Sequence, residues 1–128
     1  MATVIHLDTH VVVWLYAGEL RCFSPAARRR LAGEELRISP MVALEMQYLH
    51  EVGRISENSG VVLADLARKL GLVQAEGDFS SVAEGAVGLG WTRDPFDRLI
   101  VAHAALNGAT LLTKYRSIRR NYRHSVWD

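Results

Sequence analysis

Short apolar segments alternate with helix-like ones along this whole chain, and that alternation restricts the fold more tightly than any single residue. Strands are predicted over residues 3–7, 36–38, 72–74 and 110–113, with a last short edge strand at Val126. Helices are predicted over residues 10–17, 26–32, 40 to about 52, 58–70, 79–89 and 94–106, with one helical turn over 118–122. Ser24-Pro25, Ser39-Pro40 and Asp94-Pro95 carry the signature of a helix cap followed by proline, and Thr9 is placed as the cap of the first helix. Strands of this kind, separated by helices, imply a parallel sheet covered on both faces. The expected fold is α/β: a three-layer α/β/α domain with a parallel sheet of about four or five strands. It spans residues 1–128 as one domain, because no repeat, low-complexity tract or linker divides the chain. In such sheets ligands sit beyond the carboxyl ends of the strands. Asp8 ends the first strand and Thr113 ends a later one.

Composition narrows the function classes. With 49% hydrophobic residues in 128, the chain can bury a real core. A net charge of +1 with 23% charged residues is too even to announce a nucleic-acid binder by charge alone. The single cysteine, Cys22, excludes an internal disulfide, fits a reducing cytoplasm and is expected to be a small buried hydrophobe. No basic region followed by a long apolar run opens the chain, so neither a signal peptide nor a membrane span is expected.

Four carboxylates stand where carboxylates are normally out of place. Asp8 closes the apolar run Val4-Ile5-His6-Leu7, and Glu45 is the only charge between Ile38 and Leu49. Asp94 and Asp97 open the stretch that continues into Leu99-Ile100-Val101-Ala102. On a helix the neighbours of Glu45 three and four residues away are Met41, Val42, Tyr48 and Leu49, so it projects from a buried or half-buried face. Each acid also has a bland explanation. Glu45 can pair with an arginine, Asp94 can cap a helix, Asp97 suits a first turn, and Asp8 can accept bonds from the next helix. Jointly these are less attractive, because three element ends would each hold an acid with no basic partner nearby in sequence. Crowded carboxylates repel one another unless a cation is present. Mg²⁺ or Mn²⁺ suits all-oxygen ligation, and such a site commonly serves phosphodiester hydrolysis by metal-activated water. His6, His10, His50, His103 and His124 are scattered and read as structural, with no spacing for zinc.

These segments resemble PIN-domain ribonucleases, in particular the VapC-type toxins of bacterial toxin–antitoxin pairs. The matching pieces are residues 5–10 with Trp14-Leu15, Ser39-Pro40 through Leu44-Glu45, Asp94-Pro95-Phe96-Asp97-Arg98-Leu99-Ile100, and Gly108-Ala109-Thr110-Leu111-Leu112-Thr113. They occur in family order over nearly the whole chain. The resemblance implies a metal-dependent endoribonuclease in which Asp8, Glu45 and Asp97 are the catalytic metal-site acids and Asp94 a further acid. Thr9 and Thr113 are expected to orient the acids or the water from behind. The resemblance also implies an RNA substrate, a small antitoxin bound by a helix-in-groove mode, and a homodimer.

One position departs from the family pattern. The last motif usually continues as Thr-x-Asp, whereas this chain reads Thr113-Lys114-Tyr115, and a neutral phenol does not replace a charge. The alternative is therefore a catalytically weak PIN domain acting by antitoxin or RNA binding. Lys114, Arg116, Arg119, Arg120 and Arg123 follow the Thr113 strand end, where they can hold an RNA backbone or simply be a solvated face. Arg28-Arg29-Arg30 reads as solvated, and Trp14, Leu15 and Tyr16 as mostly core. A nucleotide-binding or receiver-like module is a further rival. Against it, no glycine-rich loop follows the first strand, and the Asp8-Thr9-His10 turn has no phosphate-binding lysine.

Overall fold

The first strand, β1 (Val4–Leu7), lies at the centre of the sheet, and everything that positions the acids is built outward from it. The structure, a computed structural model, describes residues 3–128. After β1 come α1 (Thr9–Ala17), a 3₁₀ turn (Leu20–Cys22), α2 (Pro25–Gly33) and β2 (Glu35–Ile38). Then follow α3 (Pro40–Glu51), α4 (Ser59–Leu70), β3 (Val73–Gln74), α5 (Phe79–Val87) and α6 (Pro95–Leu106). The chain closes with β4 (Thr110–Leu112), α7 (Arg116–Asn121) and β5 (Ser125–Val126). The five strands pair in the order β3-β2-β1-β4-β5, and every pairing is parallel. This is the expected α/β fold with the expected edge strand.

The sequence signals for helix ends act as expected in most places. Ser24, Ser39 and Asp94 each cap a helix through the side-chain oxygen, with proline next in line. Gly18 and Gly71 stop α1 and α4 at φ 72° and 70°, a backbone that L side chains rarely adopt. The cap of α1 is the exception: Asp8, not Thr9, takes that position, because its carboxylate accepts the Thr9 N–H. Thr9 becomes the first helical residue, and its hydroxyl is free for another partner.

Ile5, Leu7, Leu36, Ile38, Leu111 and Leu112 form the buried centre of the sheet. Val11 and Val12 of α1, Val42 and Met46 of α3, Val62 and Leu66 of α4, and Ile100, Val101 and Ala104 of α6 pack with them. A smaller cluster, Val82, Ala86 and Ala102, ties α5 to α6.

Other details also differ from expectation. The helix expected over 79–89 stops at Val87, where Gly88 follows. The single turn expected over 118–122 is a longer helix, α7, starting at Arg116. Trp14, Leu15 and Tyr16 are half-buried rather than core, since α1 turns only Val11 and Val12 fully inward. Cys22 is half-buried in the 3₁₀ turn, which has no fully buried residue. The buried residue there is Phe23, which packs on Trp127 at 5.7 Å between ring centroids.

Candidate functional site

Asp8 is held from three directions. Its backbone N–H donates to the Leu112 carbonyl at 3.1 Å, extending the β1–β4 pairing past the strand end. One carboxylate oxygen accepts the Thr9 N–H at 2.8 Å, and the other accepts the Thr113 hydroxyl at 2.8 Å. The residue is 1% exposed. Burial pushes its carboxyl pKa up, and those two hydrogen bonds only partly oppose the shift.

Glu45 reaches the same place from α3. The Thr9 hydroxyl donates to its Oε1 at 2.5 Å, so one threonine joins the end of β1 to a helix 36 residues on. Glu45 is half-buried as expected, with Val42 buried and Met41 and Leu49 partly so, but Tyr48 faces solvent. Its pKa is raised by burial first and by the charges of Asp8 and Asp94, with the Thr9 bond opposing.

Asp94 does what a capping residue does: its Oδ1 accepts the Phe96 N–H at 2.8 Å and the Asp97 N–H at 3.4 Å. It is exposed, yet its charge reaches the other three acids. Asp97, one turn into α6, is half-buried and its pKa is pushed up to about 7. Burial is the largest cause, followed by Asp94, Asp8 and Glu45. The structure thus brings the four carboxylates of β1, α3 and α6 within electrostatic reach of one another, beyond the carboxyl ends of β1 and β4.

Two further residues neighbour the acids: His10, which sequence reasoning read only as structural, and Tyr115, which it set at the family's usual acid position. His10 Nε2 accepts the Lys114 N–H at 3.0 Å, and its Nδ1 lies 3.6 Å from an Asp8 oxygen, too far for a hydrogen bond. Burial, then the Lys114 charge, lowers the His10 pKa to about 4, so the ring is neutral at pH 7 and forms no ion pair with Asp8. The spacing Asp8-Thr9-His10 was the available signal. Tyr115 stacks on His10 at 4.3 Å. Its phenol pKa is raised by burial first and then by the charges of Asp8, Glu45, Asp97 and Asp94.

Among the described residues, no three His, Cys, Asp or Glu side chains are grouped closely enough to hold a metal ion together. The carboxylates feel one another's charge without converging on a common chelate. Their chemistry still fits a hard divalent cation, since the donors are all oxygen and the repulsion that raises Asp97 is what a cation relieves. A Mg²⁺-like ion binds through one or two carboxylates and keeps several waters, so it does not require a closed protein cage.

The basic residues divide. Lys114, Arg116, Arg120 and Arg123 are exposed, with Lys114 Nζ 5.7 Å from the Trp14 ring centre. Arg119 is half-buried and reaches Asp128 at 3.7 Å. A cleft of about 1020 Å³ opens at the opposite end of the sheet, among Val4, Val73, Thr110, Arg29, Arg30 and Arg37, and contains none of the four acids.

A parallel α/β sheet of this order with acids beyond its central strands defines a class, and residues 5–123 match that class in sequence: the chain belongs to the PIN-domain family. It is 34% identical to Ribonuclease VapC22 of Mycobacterium tuberculosis over 131 aligned positions, covering 98% of this chain and 99% of that protein. Among solved structures, the fold resembles VapBC2 from Rickettsia felis bound to a promoter DNA fragment, with TM-score 0.68, 20% identity, and 98% and 100% of the two chains covered. It also resembles DNA-bound VapBC from Salmonella typhimurium, with TM-score 0.64, 17% identity, and 98% of each chain covered. A toxin–antitoxin complex from Klebsiella pneumoniae matches at TM-score 0.61 and 16% identity over 95% of each chain. No helix among the described residues is long and apolar enough to cross a membrane.

Proposed function

We propose that this protein is a metal-dependent endoribonuclease, the toxin of a toxin–antitoxin pair, with Asp8, Glu45 and Asp97 as its catalytic acids. The observation that carries the reading is the mutual electrostatic coupling of Asp97 with Asp94, Asp8 and Glu45 in a PIN domain. The 34% identity to a protein named as a ribonuclease supports it. One or two of Asp8, Glu45 and Asp97 would hold Mg²⁺ or Mn²⁺ directly, and the remaining acids, Asp94 among them, would act through its waters. When bound, such an ion supplies Lewis acidity toward the phosphodiester and makes a coordinated water acidic.

The protein's own residues do the rest. Thr113 and the Thr9 N–H fix both oxygens of Asp8, so the carboxylate cannot rotate away from the strand end. The Thr9 hydroxyl aims Glu45. Asp97, with its pKa near 7, exchanges a proton at neutral pH when no cation is present. Lys114, Arg116 and Arg120 are free to meet the RNA backbone. A small antitoxin, a homodimer, a cytoplasmic setting and a single domain over residues 1–128 complete the proposal.

The test is cleavage of a single-stranded RNA by antitoxin-free protein over a Mn²⁺ and Mg²⁺ series. Metal-dependent cleavage by the wild type and none by Asp8→Asn is the expected result. No cleavage at any metal concentration would leave the second reading, a binding-only PIN domain, which the tyrosine at position 115 favours. Cleavage gained by Tyr115→Asp would then name the missing acid as the main defect, and none in either protein would favour binding alone.

A further inference from the structure

We propose that the exposed ring of Tyr115, backed by His10, is a stacking subsite for an unpaired nucleobase of single-stranded RNA. The proposal deepens the ribonuclease reading above and rests on it.

The main chain under the ring is pinned from two sides. The Tyr115 N–H donates to the Thr113 hydroxyl at 3.1 Å, and that same hydroxyl donates to Asp8. One residue earlier, the Lys114 N–H donates to His10. The phenol then rests on an aromatic row that runs into the core. Tyr115 and His10 are 4.3 Å apart, tilted by 42°, and His10 meets Trp14 edge-on at 4.9 Å. Trp14 meets Trp127 at 6.0 Å, and the buried Trp127 packs on Phe23. Yet Tyr115 itself remains 49% exposed.

A large aromatic ring that is wet on one side and locked on the other is poorly explained by packing. It is well suited to stacking, because little side-chain freedom is lost when a base lands on it. Unpaired RNA bases are recognised by such rings, and stacking tolerates any base because every base has a π-face. The phenol is neutral at pH 7 and adds no repulsion toward phosphate, as a carboxylate at this position would. Exposed Lys114 and Arg116 flank the ring on either side in sequence and supply cations for the backbone that carries the base.

The experiment uses a short RNA whose only base is one 2-aminopurine, the other positions being abasic, metal-free buffer and the Asp97→Asn background, in which cleavage is suppressed and one repelling charge is absent. Background protein and its Tyr115→Phe form should both quench the base fluorescence. Tyr115→Ala should lose the quenching and bind about tenfold more weakly, the scale of one lost stacking contact. An RNA with an abasic site in place of 2-aminopurine should bind the Asp97→Asn protein about as weakly as Tyr115→Ala binds the intact RNA, a control that needs no further protein variant. Equal quenching and affinity for Tyr115→Ala, full affinity for the abasic RNA, or no binding by the background protein would each overturn the subsite. Quenching that depends on Tyr115, together with no cleavage by the wild type in any metal, would overturn the nuclease reading and leave the subsite standing.

Discussion

The two ends of this sheet are built from the same strands and behave in opposite ways. At the carboxyl end, helices α1, α3 and α6 begin, and their exposed N–H groups tolerate negative charge. Asp8, Glu45, Asp94 and Asp97 gather there, and three of them have raised pKa values. At the amino end, α2 and α6 finish, with Arg30 in the last turn of α2 and His103 in that of α6. Charge there is nearly settled: Arg30 meets Glu34 at 3.0 Å and Arg37 meets Glu35 at 3.8 Å. The amino end holds a cleft of about 1020 Å³, while the carboxyl end holds the crowded carboxylates. On the proposed reading the chemistry lies away from that cleft. Under the proposed function, half-buried acids held near one another against their repulsion are where folding stability is given up for a task.

The contrast breaks most sharply through activity. Asp8→Asn should lower RNA cleavage by about a thousandfold, the scale of a lost charge-stabilising group. Arg29→Ala, in the other cleft, should leave the rate within about twofold, since Arg29 touches nothing at the acid end. Comparable losses in the two variants would mean that the site has been assigned to the wrong end. Thr113→Val tests the support behind Asp8. It removes the hydroxyl that donates at 2.8 Å and leaves a buried carboxylate oxygen short of a partner. Stability should fall by about 1–2 kcal/mol in denaturant titration, and cleavage by about tenfold.

A smaller effect sharpens the comparison through pH and metal. Asp97 binds its proton more tightly in the folded chain than the unfolded one, with a pKa of about 7 against 3.8. Between those values the folded state carries more protons, so its contribution is full below about pH 4 and is lost as pH rises to about 7. Metal-free wild type should thus lose on the order of 1 kcal/mol from this group across that window, a modest figure because Asp97 stays partly wetted. Asp97→Asn should remove that part of the slope. At neutral pH, 10 mM Mn²⁺ should restore about 1 kcal/mol to the wild type if it binds with millimolar affinity, and much less to Asp97→Asn. Equal shifts in both proteins would place the ion elsewhere.

Much of this contrast was legible in the sequence, and the limits follow a pattern. Strand ends and the three cap-then-proline helix starts depend on neighbours a few residues away, and they stand within a residue or two of expectation. The odd surroundings of Asp8 and Glu45 were readable for the same reason, because a charge inside an apolar run is a local fact. What could not be read is what joins distant segments. The sequence offered Thr9 two roles, helix cap and support for the acids, and only the fold pairs its hydroxyl with Glu45. The stack of His10 on Tyr115 and the burial of Trp127 depend on β1 pairing with β4 and on the chain end folding back over α1. Tyr48 points outward although its spacing from Glu45 matches an inner face, since a helix wedged between neighbours buries only part of each turn.

The smallest expected effect lies at the amino end. Arg30 and Glu34 sit four residues apart at the close of α2, with the arginine toward the N-terminus, the less favourable order against the helix dipole. Arg30 itself suits the last turn, whereas Glu34 stands at the carbonyl end with a charge of the wrong sign. Glu34 also accepts the Thr3 hydroxyl at 2.9 Å, so it keeps a partner when the arginine is removed. Arg30→Ala should therefore cost no more than about 0.5 kcal/mol in low salt and still less in 1 M NaCl, where exposed pairs are screened. Cleavage should not change. A loss above about 2 kcal/mol that persists in high salt would show that the amino end, like the carboxyl end, holds charge whose balance the fold depends on.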